Sequence, residues 1–234
     1  MYKNLYDTFA HWFHDGRGTV YFYSDPHFND PEAALFRKNY IGDAEQVKRI
    51  NSKIGKYDTL VILGDIGDIE LVRKIRGYKV LVMGNHDSGS TNYKRQVITE
   101  TFHSFNMSKE DAVRVMKEKY PNWRITSKTL ELGRFTEVTA DNCLFDEVYE
   151  GALMIAPNII LSHEPVNFPY AANIHGHTHN QNDALNMCAE NIDYTPIPLK
   201  TLVEKGMLKA PDIHREAIDK AIDRKEKNYG QPSL

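Results

Sequence analysis

Nine residues in five short stretches have the types and spacing that hydrolytic chemistry uses. They are Asp25 and His27, Asp65 and Asp68, Asn85 and His86, His163, and His177 with His179. Carboxylate, imidazole and amide oxygen in this mixture suit Mn²⁺, Fe or Zn²⁺, and the lack of thiolates argues against a structural zinc. There are too many donors for one ion. Two ions roughly 3.5–4 Å apart, sharing one carboxylate, would use them all. Such a pair brings about +4 against two ligand carboxylates, and the excess suits a phosphate anion. It also lowers the pKa of a bridging water, so that a hydroxide nucleophile exists near neutral pH.

Each stretch follows a run that reads as a buried strand: residues 19–24, 58–63, 79–83, 158–162 and 171–174. A carboxylate at the end of a buried strand is costly without a cation beside it. In α/β sheets the carboxyl ends of strands are where ligands collect. Pro26 closes the first strand, which lets Asp25 and His27 project from one loop. Ala44, Val47, Ile50 and Ile54 share a helical face, so residues 43–54 form the crossover of a right-handed βαβ unit. Residues 69–75 read as a short helix ended by Gly77.

Residues 91–150 are less regular. Ser108 reads as an N-cap with Asp111 in the first turn of a helix reaching Lys119, and residues 126–132 and 135–140 read as strands. This region is expected to be an insertion or a pocket wall within one domain spanning residues 1–234. Residues 183–189 and 194–199 read as closing strands, and 201–205 as a short helix. Residues 212–227 read as a charged surface helix within a C-terminal helix and tail over 210–234.

Composition narrows the classes further. The chain has 234 residues, 41% hydrophobic and 26% charged, with a net charge of −3. That is an ordinary globular make-up with no global basic field toward nucleic acid or membranes. No apolar run is long enough to span a bilayer, and the first residues lack the pattern of a signal peptide. Cys143 and Cys188 fit no metal spacing and read as reduced thiols, which together implies a cytoplasmic location.

In order, D-x-H, G-D-x-x-D, G-N-H-D, an isolated His and G-H-x-H resemble the calcineurin-like metallophosphoesterases, from Asp25 to His179. The resemblance implies an α/β fold, a four-layer α-β-β-α sandwich of two mixed sheets flanked by helices. It implies that Asp25, His27 and His179 hold one metal, that Asn85, His163 and His177 hold the other, and that Asp65 bridges them. His86 would then be the general acid, kept protonated by Asp68. The two ions would be Mn, Fe, Zn or Ni, with Mn favoured.

One departure matters. Phosphoprotein phosphatases of this superfamily carry Arg-Gly after the second aspartate and Glu after Asn-His, where this chain has Ile69-Glu70 and Asp87. The chain looks more like small bacterial and phage members, and a phosphodiesterase acting through a metal-bridging hydroxide is the expected activity. A phosphomonoesterase, a nuclease and a non-catalytic scaffold are the alternatives. The expected partner is a phosphate-ester substrate; no basic, aromatic-lined tract indicates nucleic acid. Lys94 and Arg95 offer a replacement cation, though a solvated loop pair is the plainer reading. His175 reads as a strand cap or a group behind the ligands. His11, His14, His103 and His214 read as surface or packing residues, and Asn29 and Asp87 as turn formers.

Overall fold

The computed structural model describes residues 5–181 and 183–208. A 3-10 helix, Asp7–Gly16, leads into β1 (Val20–Tyr23), α1 (Pro31–Phe36), α2 (Asp43–Lys53), β2 (Thr59–Ile62), α3 (Ile69–Val72) and β3 (Tyr78–Val82). Next come β4 (Val97–His103), α4 (Lys109–Lys119), β5 (Arg124–Leu130), β6 (Phe135–Asp141) and β7 (Glu147–Tyr149). The chain closes with β8 (Leu153–Ala156), β9 (Ile159–Leu161), β10 (Ala172–Ile174), β11 (Ile197–Pro198) and α5 (Leu199–Glu204).

The main sheet has the order β11-β1-β2-β3-β7, with β1, β2, β3 and β7 parallel and β11 antiparallel at the edge. A second sheet has the order β10-β9-β8, β9 parallel to β10 and antiparallel to β8. Alternation along the main strands sets what lies between the sheets. Val20, Phe22, Val61, Leu63, Val80 and Val82 point one way, into a core shared with Ile155, Ile159, Leu161 and Ile174 of the second sheet. Leu60, Ile62 and Leu81 point the other way, against Val47 and Ile50 of α2 and Val72 of α3. Among the described residues, α2 and α3, the main sheet and the second sheet therefore stack as successive layers of an α/β architecture, with both faces of the main sheet dry. That is why its strands read as continuous apolar runs.

Residues 97–141 form a separate unit, an antiparallel sheet of order β4-β6-β5. Helix α4 covers it through Ala112 and Met116, which meet Val138 and Ala140. The Ser108 cap is made: its side chain accepts from the Asp111 amide at 3.1 Å.

Four expectations need correction, the first being the closing strand over 194–199, which is only the two residues of β11, with Leu199 already starting α5. Residues 97–103, unassigned from the sequence, form strand β4, whose Val-Ile-Thr-Glu-Thr-Phe-His alternates exposed with half-buried positions on a thin sheet. The helix read over 69–75 is the single turn of α3, followed by turns to Gly77. Residues 183–189 are not a strand. They make two isolated bridges, His175 with Asn186 and Ser24 with Cys188. The buried Asn186 amide donates to the Thr178 carbonyl at 2.7 Å while its oxygen accepts from the Cys188 amide at 3.0 Å, so the segment is a stapled turn. The helix read over 212–227 lies outside the described residues. No helix among those described is long and apolar enough to cross a membrane.

Candidate metal centre

The loops after β1 and β2 continue to hydrogen-bond past the ends of their strands. The Asp25 amide donates to the Gly64 carbonyl at 3.1 Å, the His27 amide to Asp65 at 3.0 Å, and the Phe28 amide to Ile66 at 2.9 Å. This zipper brings the two loops together side by side. The loop after β3 is tied to them by Asp87, whose carboxylate accepts from the amides of Gly84 at 2.8 Å, Asp65 at 3.0 Å and Ile66 at 3.0 Å. Asp87 is thus more than a turn former; it fixes one ligand loop to another. Close approach here needs glycine: a Cβ on Gly84 would lie 2.2 Å from Asp65 Oδ1, and one on Gly176 2.2 Å from Asp25 Oδ2.

The backbone is also strained where the candidate ligands sit. Asp25, His27, Asp65 and His177 have φ of 54°, 43°, 53° and 64°, in the left-handed region.

Two groups of donors result. In the first, Asp25 Oδ1 lies 3.9 Å from His27 Nε2 and 3.5 Å from His179 Nε2. In the second, His163 Nε2 lies 2.7 Å from Asn85 Oδ1 and 3.2 Å from His177 Nδ1, which is itself 3.1 Å from Asn85 Oδ1. Asp65 Oδ2 stands between the groups, 3.5 Å from His27 Nε2 and 3.3 Å from His163 Nε2. Donors each about 2.1 Å from one ion sit about 3.0–3.4 Å from one another, and most of these separations fall near that range. Asp25 Oδ1 and His27 Nε2 are buried and have no hydrogen-bond partner, a cost that an ion between them would remove. The donor set therefore fits two hydrolytic metal ions.

Electrostatics agree. Burial pushes the Asp65 carboxyl upward, but His163 and His27 beside it hold it well below the usual carboxylate range. Burial works to lower the His163 imidazole, yet Asp65 and Asp25 raise it to about 9.

Sequence reading missed the support behind His179. The buried Glu190 carboxylate meets His179 Nδ1 at 2.7 Å and raises the pKa of that imidazole. Glu190 also lies 3.8 Å from Arg37 Nε, and the Arg37 guanidinium donates to the Asp25 carbonyl at 2.6 Å and the Pro26 carbonyl at 3.2 Å. Neither residue falls in a motif. Ser24 Oγ and Cys188 Sγ both donate to Asp25 Oδ2, at 2.5 and 3.4 Å. The two cysteines are free, as read.

His86 places its amide 3.0 Å from Asp65 Oδ1 and its exposed ring 5.5 Å from that of His27. Asp68 does not hold it in the structure. The Asp68 carboxylate caps α3 through the Glu70 amide at 2.9 Å and accepts from Asn29 Nδ2, so both its oxygens are engaged elsewhere. Nor is Arg95 a solvated loop charge. Its guanidinium pairs with Asp141 at 2.7 Å and Asp146 at 2.6 Å. His175 is buried, 2.9 Å from the Gly176 carbonyl and 3.3 Å from Asp183, behind the ligand loop.

Donors of this kind gather at the carboxyl ends of parallel strands as candidate metal-binding groups, Asp25 with His27 and His179, and Asp65 with His163 and His177. Residues 18–195 match the calcineurin-like phosphoesterase family, and the chain belongs to it. Membership places the protein among metal-dependent phosphoester hydrolases. The crystal structure of a protein of unknown function from Aquifex aeolicus is similar at 20% identity and a TM-score of 0.48, over 80% of this chain and 98% of that one. No curated protein matches the chain.

Proposed function

We propose that this chain is a dinuclear phosphodiesterase, with Asp25, His27, Asp65, Asn85, His163, His177 and His179 as ligands and His86 as general acid. The proposal extends to a four-layer α-β-β-α sandwich as the complete fold. What supports the centre above all is the position of Asp65 Oδ2, within 3.5 Å of His27 and 3.3 Å of His163. When bound, the two divalent ions, with Mn²⁺ favoured, supply Lewis-acid polarisation of the phosphoryl group and a water of lowered pKa. The chain's own residues do the rest. Asp25 and Asp65 leave part of the metal charge uncompensated for a substrate anion. Glu190 orients the His179 ring, and the exposed His86 imidazole delivers a proton to the leaving oxygen.

Preference for a diester follows from the cations. A monoester carries a second charge that an arginine would clamp. Of the two candidate cations, Arg95 is engaged by Asp141 and Asp146, and Lys94 is an exposed loop residue bridged through its backbone to Phe145. The test is turnover of bis-p-nitrophenyl phosphate against p-nitrophenyl phosphate in Mn²⁺, with Asp65→Asn as control. Faster diester cleavage is expected. Faster monoester cleavage would overturn the preference, and bound metal without turnover of either would overturn the enzymatic reading.

A further inference from the structure

At the opposite end of the same strands lies a cavity of about 650 Å³, bounded by residues just before β2, β3 and β7 and by the inner end of the β4-β6-β5 sheet. We propose that it binds a small multiply charged anion of the di- or triphosphate class, at a site separate from the metal centre. Strand β3 runs from Tyr78 at this cavity to the loop of Asn85, and its five residues span about 17 Å. The two sites therefore share strands and no side chains.

Charge identifies the ligand. Seven Lys and Arg residues line the cavity against two carboxylates, Asp141 and Asp146, in a chain whose net charge is −3. Both carboxylates are already in use: Arg95 and Arg124 share Asp141, and Arg95 also holds Asp146. Arg73 pairs with Glu70. Lys79 is buried, its ammonium donating to the carbonyls of Ile75 at 3.0 Å, Val72 at 3.3 Å and Cys143 at 2.6 Å. Lys56, Lys74 and Arg76 remain, all three exposed; none pairs with a carboxylate among the described residues, and Lys56 lies over the Tyr57 ring at 5.2 Å. His14, whose ring packs edge-on against Tyr78 at 5.5 Å, also lines the cavity, and its shielded Nε2 has no hydrogen-bond partner.

Low-dielectric walls lined by one sign of charge concentrate a counter-ion. The volume is that of a small-molecule site. A nucleic acid would instead need cations spread along an extended face to follow its phosphates. Three surplus cations and an unpaired imidazole around one recess suit adjacent phosphates on one small molecule.

The experiment is calorimetric titration of inorganic tripolyphosphate into the full-length chain in EDTA, with circular dichroism reporting the fold. EDTA removes any contribution of the metal centre, so the result does not depend on the proposed phosphodiesterase. One binding event is expected, weakened at least about tenfold by Lys74→Glu/Arg76→Glu and by Lys74→Gln/Arg76→Gln. Diester turnover of either double variant in Mn²⁺ should stay within about twofold of wild type. Absence of binding by natively folded protein would overturn the proposal, as would folded variants that bind like wild type. Binding of a short single-stranded oligonucleotide but not of tripolyphosphate would overturn it in favour of nucleic acid.

Discussion

The two ends of the main sheet both gather charged side chains, and they treat them in opposite ways. At the amino end, Asp141 accepts from Arg95 and Arg124 and from the Cys143 amide, and Lys79 finds three carbonyls. At the carboxyl end, buried Asp25 Oδ1 and His27 Nε2 face each other with no hydrogen-bond partner. The contacts of Asp141 and Lys79 are satisfied by protein alone and contribute to the fold. Those of Asp25 and His27 are satisfied only by something added. Substitutions at the carboxyl end should therefore remove activity at little cost in stability, and those in the paired part of the amino end should do the reverse.

Asp65→Asn is the most severe break. Losing the carboxylate shared by both donor groups should lower kcat/KM by on the order of 10³ and reduce the Mn²⁺ stoichiometry below two, read by steady-state kinetics and metal analysis. An unchanged stoichiometry would remove Asp65 from the ligand set.

His86→Ala should retain metal and lose about 10²–10⁴ in kcat on an ester with a poor leaving group, with a smaller loss on p-nitrophenyl esters. Asp68→Asn sharpens this result. Because Asp68 is engaged by Asn29 and α3, its substitution should change kcat only a few-fold. A loss as large as that of His86→Ala would mean that the two groups pair in the working enzyme.

Glu190→Gln should weaken Mn²⁺ binding by about 10–100-fold, measured by competition with a chelating dye, through the His179 ring that it orients.

At the amino end, Asp141→Asn should leave turnover unchanged and destabilise the fold by about 2 kcal/mol at neutral pH. Burial pushes the Asp141 carboxyl upward, but Arg95, Arg124 and the Cys143 amide bring it down to about 2. A carboxyl whose folded pKa is depressed contributes stability above its ordinary value near 4, lost as pH falls through 2. Urea denaturation of wild type and variant should thus differ above pH 4 and converge near pH 2.

Most of the carboxyl end was legible in the sequence because its chemistry is local. An apolar run followed by a small residue and a metal-competent one states both the strand and the loop, and Asp65 after Gly64, Asn85 after Gly84 and His163 after Ser162 stand where those runs end. What escaped notice acts across the fold. Glu190 reaches His179 from a short 3-10 helix eleven residues later, and Arg37 reaches the Asp25 carbonyl from the end of α1. Asp87 looks like a turn residue until its three amide partners from two loops are seen. The amino end was illegible for a similar reason. Its charges come from residues 14 to 146, and no short stretch of sequence carries the pattern.

The left-handed turns at Asp25, His27, Asp65 and His177 have an evolutionary consequence. Each costs a non-glycine residue about 1 kcal/mol, and this cost is met when the chain folds, before any ion arrives. A descendant that no longer needed the chemistry would gain stability by placing glycine in these turns or by letting them relax. Loss of catalysis would then be a downhill step for the fold, and this architecture has a short route from enzyme to stable, inert binding protein.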